Sequence, residues 1–114
     1  MILNLLNNAR EAVEKKYKVM HQVDRTVSVS IIPHPSENEV ILTIDDKGLG
    51  MEKEVLDRCF EPFFSTKIKG VGSGLGLATV YYLVQQLNGR VSIDSNPDIG
   101  TTVEIILPVL PISN

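Results

Sequence analysis

Cysteine is nearly absent from this sequence, tryptophan is missing altogether, and aromatics are few: three tyrosines and three phenylalanines in 114 residues. A lone cysteine, Cys59, has no partner, so a disulfide framework is excluded. With only His21 and His34 beside it, a Cys/His nucleophilic site is not expected either, and all three residues read as incidental. No basic excess is present: 11 Lys and Arg stand against 14 Asp and Glu, a net charge of −3. That balance argues against a nucleic-acid partner. No apolar run approaches the ~20 residues that span a bilayer, and no signal peptide is recognisable. Repeats, linkers and low-complexity tracts are lacking too. The expectation is one soluble, cytoplasmic domain without membrane contact of its own. Its length suffices to bury roughly two-thirds of the unfolded surface in one modest core.

Glycine, by contrast, is concentrated. Of eight glycines, Gly70, Gly72, Gly74 and Gly76 alternate through one segment, and Gly48 and Gly50 form a second pair. Gly89, after Asn88, fits a helix stop, and Gly100 closes the turn signal Asn96-Pro97-Asp98-Ile99-Gly100. The other six cluster where no regular element wants them. Such runs serve close backbone approach or a mobile loop.

Periodicity supplies the scaffold. Ile2, Leu5, Leu6, Ala9, Ala12, Val13 and Tyr17 recur at helical spacing, predicting a helix from 2 to about 20, with Asn4, Asn8, Glu11 and Lys15 as a polar stripe. Residues 26–32 alternate as a strand, with Val27, Val29 and Ile31 on one face. Pro33, Pro35, Ser36 and Asn38 signal a turn, and Val40, Leu42 and Ile44 resume the alternation. A short helix is expected from Met51 to Phe60 and another from Leu77 to Leu87, where Val80, Leu83, Val84 and Leu87 are apolar. Strands at 90–95 and 101–107 close the chain. The order α-β-β-α-α-β-β implies antiparallel pairing with helices on one face of the sheet.

Three constellations carry chemistry. Gly70-Val71-Gly72-Ser73-Gly74-Leu75-Gly76-Leu77 leads into a helix, whose N-terminal N–H groups attract phosphate. Lys67 and Lys69 add positive charge, and no acid lies between Pro62 and Leu87. A Rossmann fingerprint would need glycine where Leu77 stands, and a P-loop would need Gly-Lys-Ser/Thr, so neither fits. Asp45-Asp46-Lys47-Gly48-Leu49-Gly50 ends a strand; its carboxylate can accept from the exocyclic amine of adenine, or the segment is a plain Asp-Gly turn. Asn4 and Asn8 project from one helix face. They are two solvated amides, or hard oxygen ligands of the kind Mg²⁺ takes beside nucleotide phosphates. Asparagine is a poor helix former, so Asn4, Asn7 and Asn8 in one helix need a reason.

In order, the segments read NLLNNA, DDKGLGM, FEPFFSTK and GVGSGLGLATV. The series resembles the N, G1, F and G2 boxes of the catalytic and ATP-binding domain of sensor histidine kinases. That family sits in the superfamily of gyrase, heat-shock chaperone and mismatch-repair ATPases. The terminal Gly100-Thr101-Thr102…Leu107-Pro108 resembles its closing strand, and FEPFFSTK with a short lid looks most like nitrogen-regulator and sporulation kinases. The resemblance implies an α+β fold, the two-layer α/β sandwich of the Bergerat type: a mixed, mostly antiparallel sheet with helices on one face. It also implies that residues 1–114 are one such domain, N-terminally truncated and lacking its first strand, which would leave a sheet edge open to association.

The same resemblance assigns roles. Asn8 would ligate Mg²⁺ with Asn4 beside it. Asp46 would accept from the adenine amine, with Gly48 and Gly50 against the base. Gly72, Gly74 and Gly76 would wrap the triphosphate, and Lys67 would meet the terminal phosphates. Glu11, Met51, Ser73, Leu75 and Leu77 join the nucleotide-binding set; Ser65 and Thr66 have weaker claims. Phe60, Phe63 and Phe64 would anchor the lid or simply form core. In hydrolysing members the residue four before the metal asparagine is a glutamate that activates water. Here it is Asn4, which cannot take a proton near neutral pH. The implied reaction is therefore transfer of the γ-phosphoryl group of Mg·ATP to a histidine on the dimerisation domain of a parent kinase, with a response regulator downstream. The acceptor domain is not in this chain, and the sequence leaves open whether the parent is membrane-anchored. Two rivals stand beside this reading: an anti-sigma-type serine kinase, whose family pattern has glutamate at Asn4 and lacks FEPFF, and a nucleotide-binding docking module without catalysis.

Overall fold

A computed structural model describes residues 2–20, 24–34, 38–61 and 76–109. Seven elements follow in the expected order: α1 (Ile2–Met20), β1 (Val27–His34), β2 (Glu39–Asp46), α2 (Lys53–Asp57), α3 (Gly76–Gln86), β3 (Arg90–Asn96) and β4 (Gly100–Pro108). The four strands form one sheet in the order β1-β2-β4-β3. Every pairing among them is antiparallel.

One face of this sheet is covered. Leu42 and Ile44 of β2 and Val103 and Ile105 of β4 meet Leu5 and Ala9 of α1 and Val80 and Val84 of α3 in a single buried cluster. The period of two in the strands and the i, i+4 spacing in the helices put these side chains on facing surfaces. Each Leu, Ile or Val buried in this way stabilises the fold by roughly 1.5–3 kcal/mol. The opposite sheet face carries Thr43, Asp45, Thr102, Glu104, Ser92 and Asp94, the polar alternates of the same strands.

Three details depart from the periodicity reading. β1 does not stop at Pro33; it runs on to His34, with Pro33 opposite Val40 and His34 opposite Glu39. Proline is tolerated there because β1 is an edge among the described strands, and no neighbour asks for the missing N–H. Val29 and Ile31 do lie on the helix-side face, opposite Ile44 and Leu42. They are nevertheless exposed, at 48% and 64%, because the helices cover the other strands instead. The expected helix at 51–60 shrinks to Lys53–Asp57, since Glu52 is extended (φ −66°, ψ 157°) and supplies no side-chain cap. The stop after α3 is set by Asn88, which takes the left-handed conformation at φ 58°, while Gly89 donates to the Val84 carbonyl at 2.9 Å.

Candidate functional site

The site lies where β2 ends, beside the middle of α1 and the start of α3. Successive strand residues point to opposite faces, which separates the two aspartates. Asp45 faces the open side, where the Thr102 hydroxyl donates to its Oδ1 at 2.5 Å and Lys47 Nζ stands 3.4 Å from Oδ2. Asp46 turns to the helix side and is buried, 6% exposed. Its Oδ1 accepts from the Gly48 N–H at 2.8 Å. Burial is the main reason the Asp46 carboxyl is held above the usual carboxylate range. The Gly48 N–H opposes that shift, Asp45 adds to it, and the Thr101 backbone and Lys16 counter it further. A carboxylate so desolvated gains most from a partner that donates a proton to it in a hydrogen bond.

The loop after Asp46 is welded to its surroundings. A Cβ on Gly48 would lie 2.6 Å from the Ala12 backbone carbon and Cβ, so only glycine lets the loop touch α1, where Leu49 N–H donates to the Ala12 carbonyl at 3.2 Å. Gly50 has φ 69°, and a Cβ there would sit on the Asn96 carbonyl. Packing within the fold thus accounts for both glycines without a base beside them. Met51, partly buried, is tied down by Ser95: its N–H donates to Ser95 Oγ at 2.8 Å. That hydroxyl also donates to the Gly100 carbonyl at 3.1 Å and lies 2.7 Å from Thr101 Oγ1.

The neighbouring part of the candidate site comes from α1 and α3. Asn4 and Asn8 are partly buried, one turn apart, whereas Asn7 faces out. Asn8 Nδ2 is enclosed and has no hydrogen-bond partner among the described residues. A Cβ on Gly76 would lie 3.2 Å from Asn8 Oδ1 and 3.3 Å from Nδ2. Glycine at the first described position of α3 therefore lets the start of that helix come close against the Asn8 amide. An amide offers a donor at one end and a hard acceptor at the other. Set beside a helix N-terminus, it suits phosphate oxygens and a Mg²⁺ ion held mainly by them. Among the described residues, no group of three His, Cys, Asp or Glu gathers to cage a metal without such help.

Other expected site residues fall differently. Leu77 packs against the core cluster, so its side chain has a packing task. Glu11 is partly buried on α1. Phe60 meets the Tyr81 ring at 5.2 Å, tilted by 36°. Lys67, Gly72, Ser73, Gly74 and Leu75, with Phe63, Phe64, Ser65 and Thr66, lie outside the described residues. Burial pushes the Cys59 thiol up to about 11, which leaves it protonated and unreactive. Two contributors were missed from the sequence: Ser95 and Lys16. The signal for Lys16 was its place in the i, i+4 row Asn4–Asn8–Ala12–Lys16.

The sequence that carries this site matches a family model over nearly its whole length. Residues 1–111 match the histidine kinase-, DNA gyrase B-, and HSP90-like ATPase family. The chain belongs to that family. Within it, the chain is the ATP-binding catalytic domain of two-component sensor kinases. It is 33% identical over 108 residues to sporulation kinase A of Bacillus subtilis, a match covering 95% of this chain and 16% of that protein. It is 43% identical over 76 residues to the sensor kinase CckA of Brucella abortus, covering 67% of this chain and 8% of that protein. The chain thus spans less than a fifth of these curated relatives. The mycobacterial sensor histidine kinase MprB superposes with a TM-score of 0.74 at 28% identity, over 97% of this chain and 69% of that one. No described helix is long and apolar enough to cross a membrane.

Proposed function

We propose that this domain holds Mg·ATP and presents its γ-phosphoryl group to a histidine on the dimerisation domain of a parent sensor kinase, from which a response regulator is then served. The observations that carry the reading are the close approach of Gly76, at the start of α3, to the Asn8 amide and the burial of the Asp46 carboxylate at the end of β2. Bound Mg·ATP supplies the transferable phosphoryl group and the neutralisation of its developing charge. The chain's own residues bind and orient. Asp46 accepts from the adenine amine, and the ionised form that burial disfavours is recovered by that bond. Asn8 gives its amide oxygen to the metal, and the α3 N-terminus gives N–H groups to phosphate oxygens. Lys67 and the glycines Gly72 and Gly74 complete the phosphate side. Asn4, one turn from Asn8, has no basic oxygen with which to activate water. Transfer to an outside nucleophile, by positioning and charge neutralisation, is favoured over hydrolysis.

Titration calorimetry with Mg·ADP or a non-hydrolysable ATP analogue tests the binding, and a histidine-bearing hairpin domain supplied in trans tests the transfer. Saturable binding with labelled histidine supports the kinase. No binding would leave a docking module, and labelled serine on an added sigma-regulating partner would indicate the anti-sigma type.

A further inference from the structure

The two halves of the site sit on different elements, and something must keep them in register. Asn8 belongs to α1; Asp46 and Gly48 belong to the end of β2 and its loop. Lys16 lies on the same row of α1 as Asn8, eight residues on, or ~12 Å along the helix axis. Its Nζ donates to the Lys47 carbonyl at 3.1 Å and to the Asp98 carbonyl at 2.7 Å. Both carbonyls are in irregular backbone outside the strand ladders, where a donor must come from elsewhere. Two amides complete the junction: Leu49 N–H donates to the Ala12 carbonyl at 3.2 Å, and Asp98 N–H donates to the Leu49 carbonyl at 2.6 Å. One lysine thus bridges the helix, the loop after Asp46 and the β3–β4 turn.

We propose that Lys16 is a positioning residue, which fastens the base-facing loop to the helix that carries the metal-facing amide, so that the two halves bind one ligand as a unit. The proposal rests on the Mg·ATP reading of the site. Lys16 need not touch the nucleotide. Its ammonium holds two carbonyls, and these hold the loop from which Asp46 and the Gly48 N–H work. A charge-assisted bond of this kind contributes more than a neutral one. Lys16 also supplies positive charge near Asp46, which favours the acceptor form.

The test compares wild type, Lys16→Met and Lys16→Arg by calorimetry with Mg·ADP and by amide hydrogen exchange without nucleotide. In Lys16→Met, exchange at Leu49 and Asp98 should quicken about tenfold while the β2–β4 ladder stays protected, and the Kd for Mg·ADP should rise about tenfold. Lys16→Arg, which keeps the charge and the donors, should recover most of both. Unchanged exchange at the two amides in Lys16→Met overturns the proposal, as does an affinity loss that Lys16→Arg fails to recover. Should the wild-type chain bind no Mg·ADP, the nucleotide reading falls instead, and the exchange comparison alone decides whether Lys16 anchors the loop.

Discussion

Replacing Asp46 with asparagine separates binding from folding. In the wild type Oδ1 is engaged by the Gly48 N–H at 2.8 Å, and the Thr101 backbone also bears on the carboxyl. In Asp46→Asn the same N–H fixes the amide oxygen, so the other end becomes an NH₂ donor. Adenine presents a donor at N6 and guanine an acceptor at O6. The change therefore removes a charge-assisted bond and sets two donors face to face. A bond to a charged partner is worth about 2 kcal/mol, or roughly 30-fold in Kd for Mg·ADP. Affinity for Mg·GDP should hold or improve, so the preference narrows or reverses. Stability should move the other way. Burial raises the Asp46 pKa in the folded chain, so the folded state binds its proton more tightly than the unfolded state does. Stability from this group is lost as pH rises from the ordinary value to the folded one, and the full penalty stands at neutral pH. Asparagine carries no such penalty. The nucleotide-free variant should melt at or above the wild-type temperature at pH 7, and the gap should close as pH falls below the ordinary aspartate range. Calorimetry with both nucleotides and thermal melts at two pH values check this. An unchanged preference for Mg·ADP over Mg·GDP would refute the role given to Asp46.

Further predictions concern the metal side, the loop and the sheet edge. Asn8→Asp, which puts a carboxylate in place of the amide, should change the Mg²⁺ dependence of nucleotide binding; titrations with and without EDTA that shift equally in both proteins would count against ligation. Ser95→Ala strands the Met51 N–H and should cost about 1–3 kcal/mol of stability, read from urea unfolding. An effect below a few tenths would show that the loop finds another acceptor. β1 has no strand on its far side among the described residues, and from Thr26 to Pro33 it bears no charge. Such an edge invites pairing: light scattering should show mass rising with concentration, reversed by Ile31→Lys. A monomeric mass throughout would dispose of that expectation.

What could be read from the residues beforehand was set by period and chain order. The stripe of Leu5, Ala9 and Val13 and the alternation of Leu42 and Ile44 announce their elements, because each repeats with the geometry of its own backbone. Extent was less legible. β1 continues through Pro33 because its outer edge makes no demand for an N–H, which is a property of the neighbour and not of the proline. Val29 and Ile31 show the same limit: alternation gives their face, but whether a helix covers that face is decided elsewhere. The motifs single out Asp46 and Asn8, and strand alternation explains why Asp46 rather than Asp45 turns inward. Ser95 has no pattern to betray it, and for Lys16 the helical row it shares with Asn4 and Asn8 gives only its face, since the carbonyls it holds are 31 and 82 residues away. The unusual placement of Gly48 and Gly50 is visible in the sequence, but the structure gives each a steric reason inside the fold.

That steric reason changes how variants of the loop should be interpreted. At Gly48 the space a methyl group would need is occupied by the main chain of α1, which no side-chain trimming can clear. A Gly48→Ala protein that fails to bind nucleotide would thus report a displaced helix, and with it a displaced Asn8, before it reported anything about contact with a base. Substitutions at this glycine are assays of assembly. The chemistry of recognition is better probed at Asp46 and Asn8, where side-chain ends can be exchanged while the backbone stays where it is.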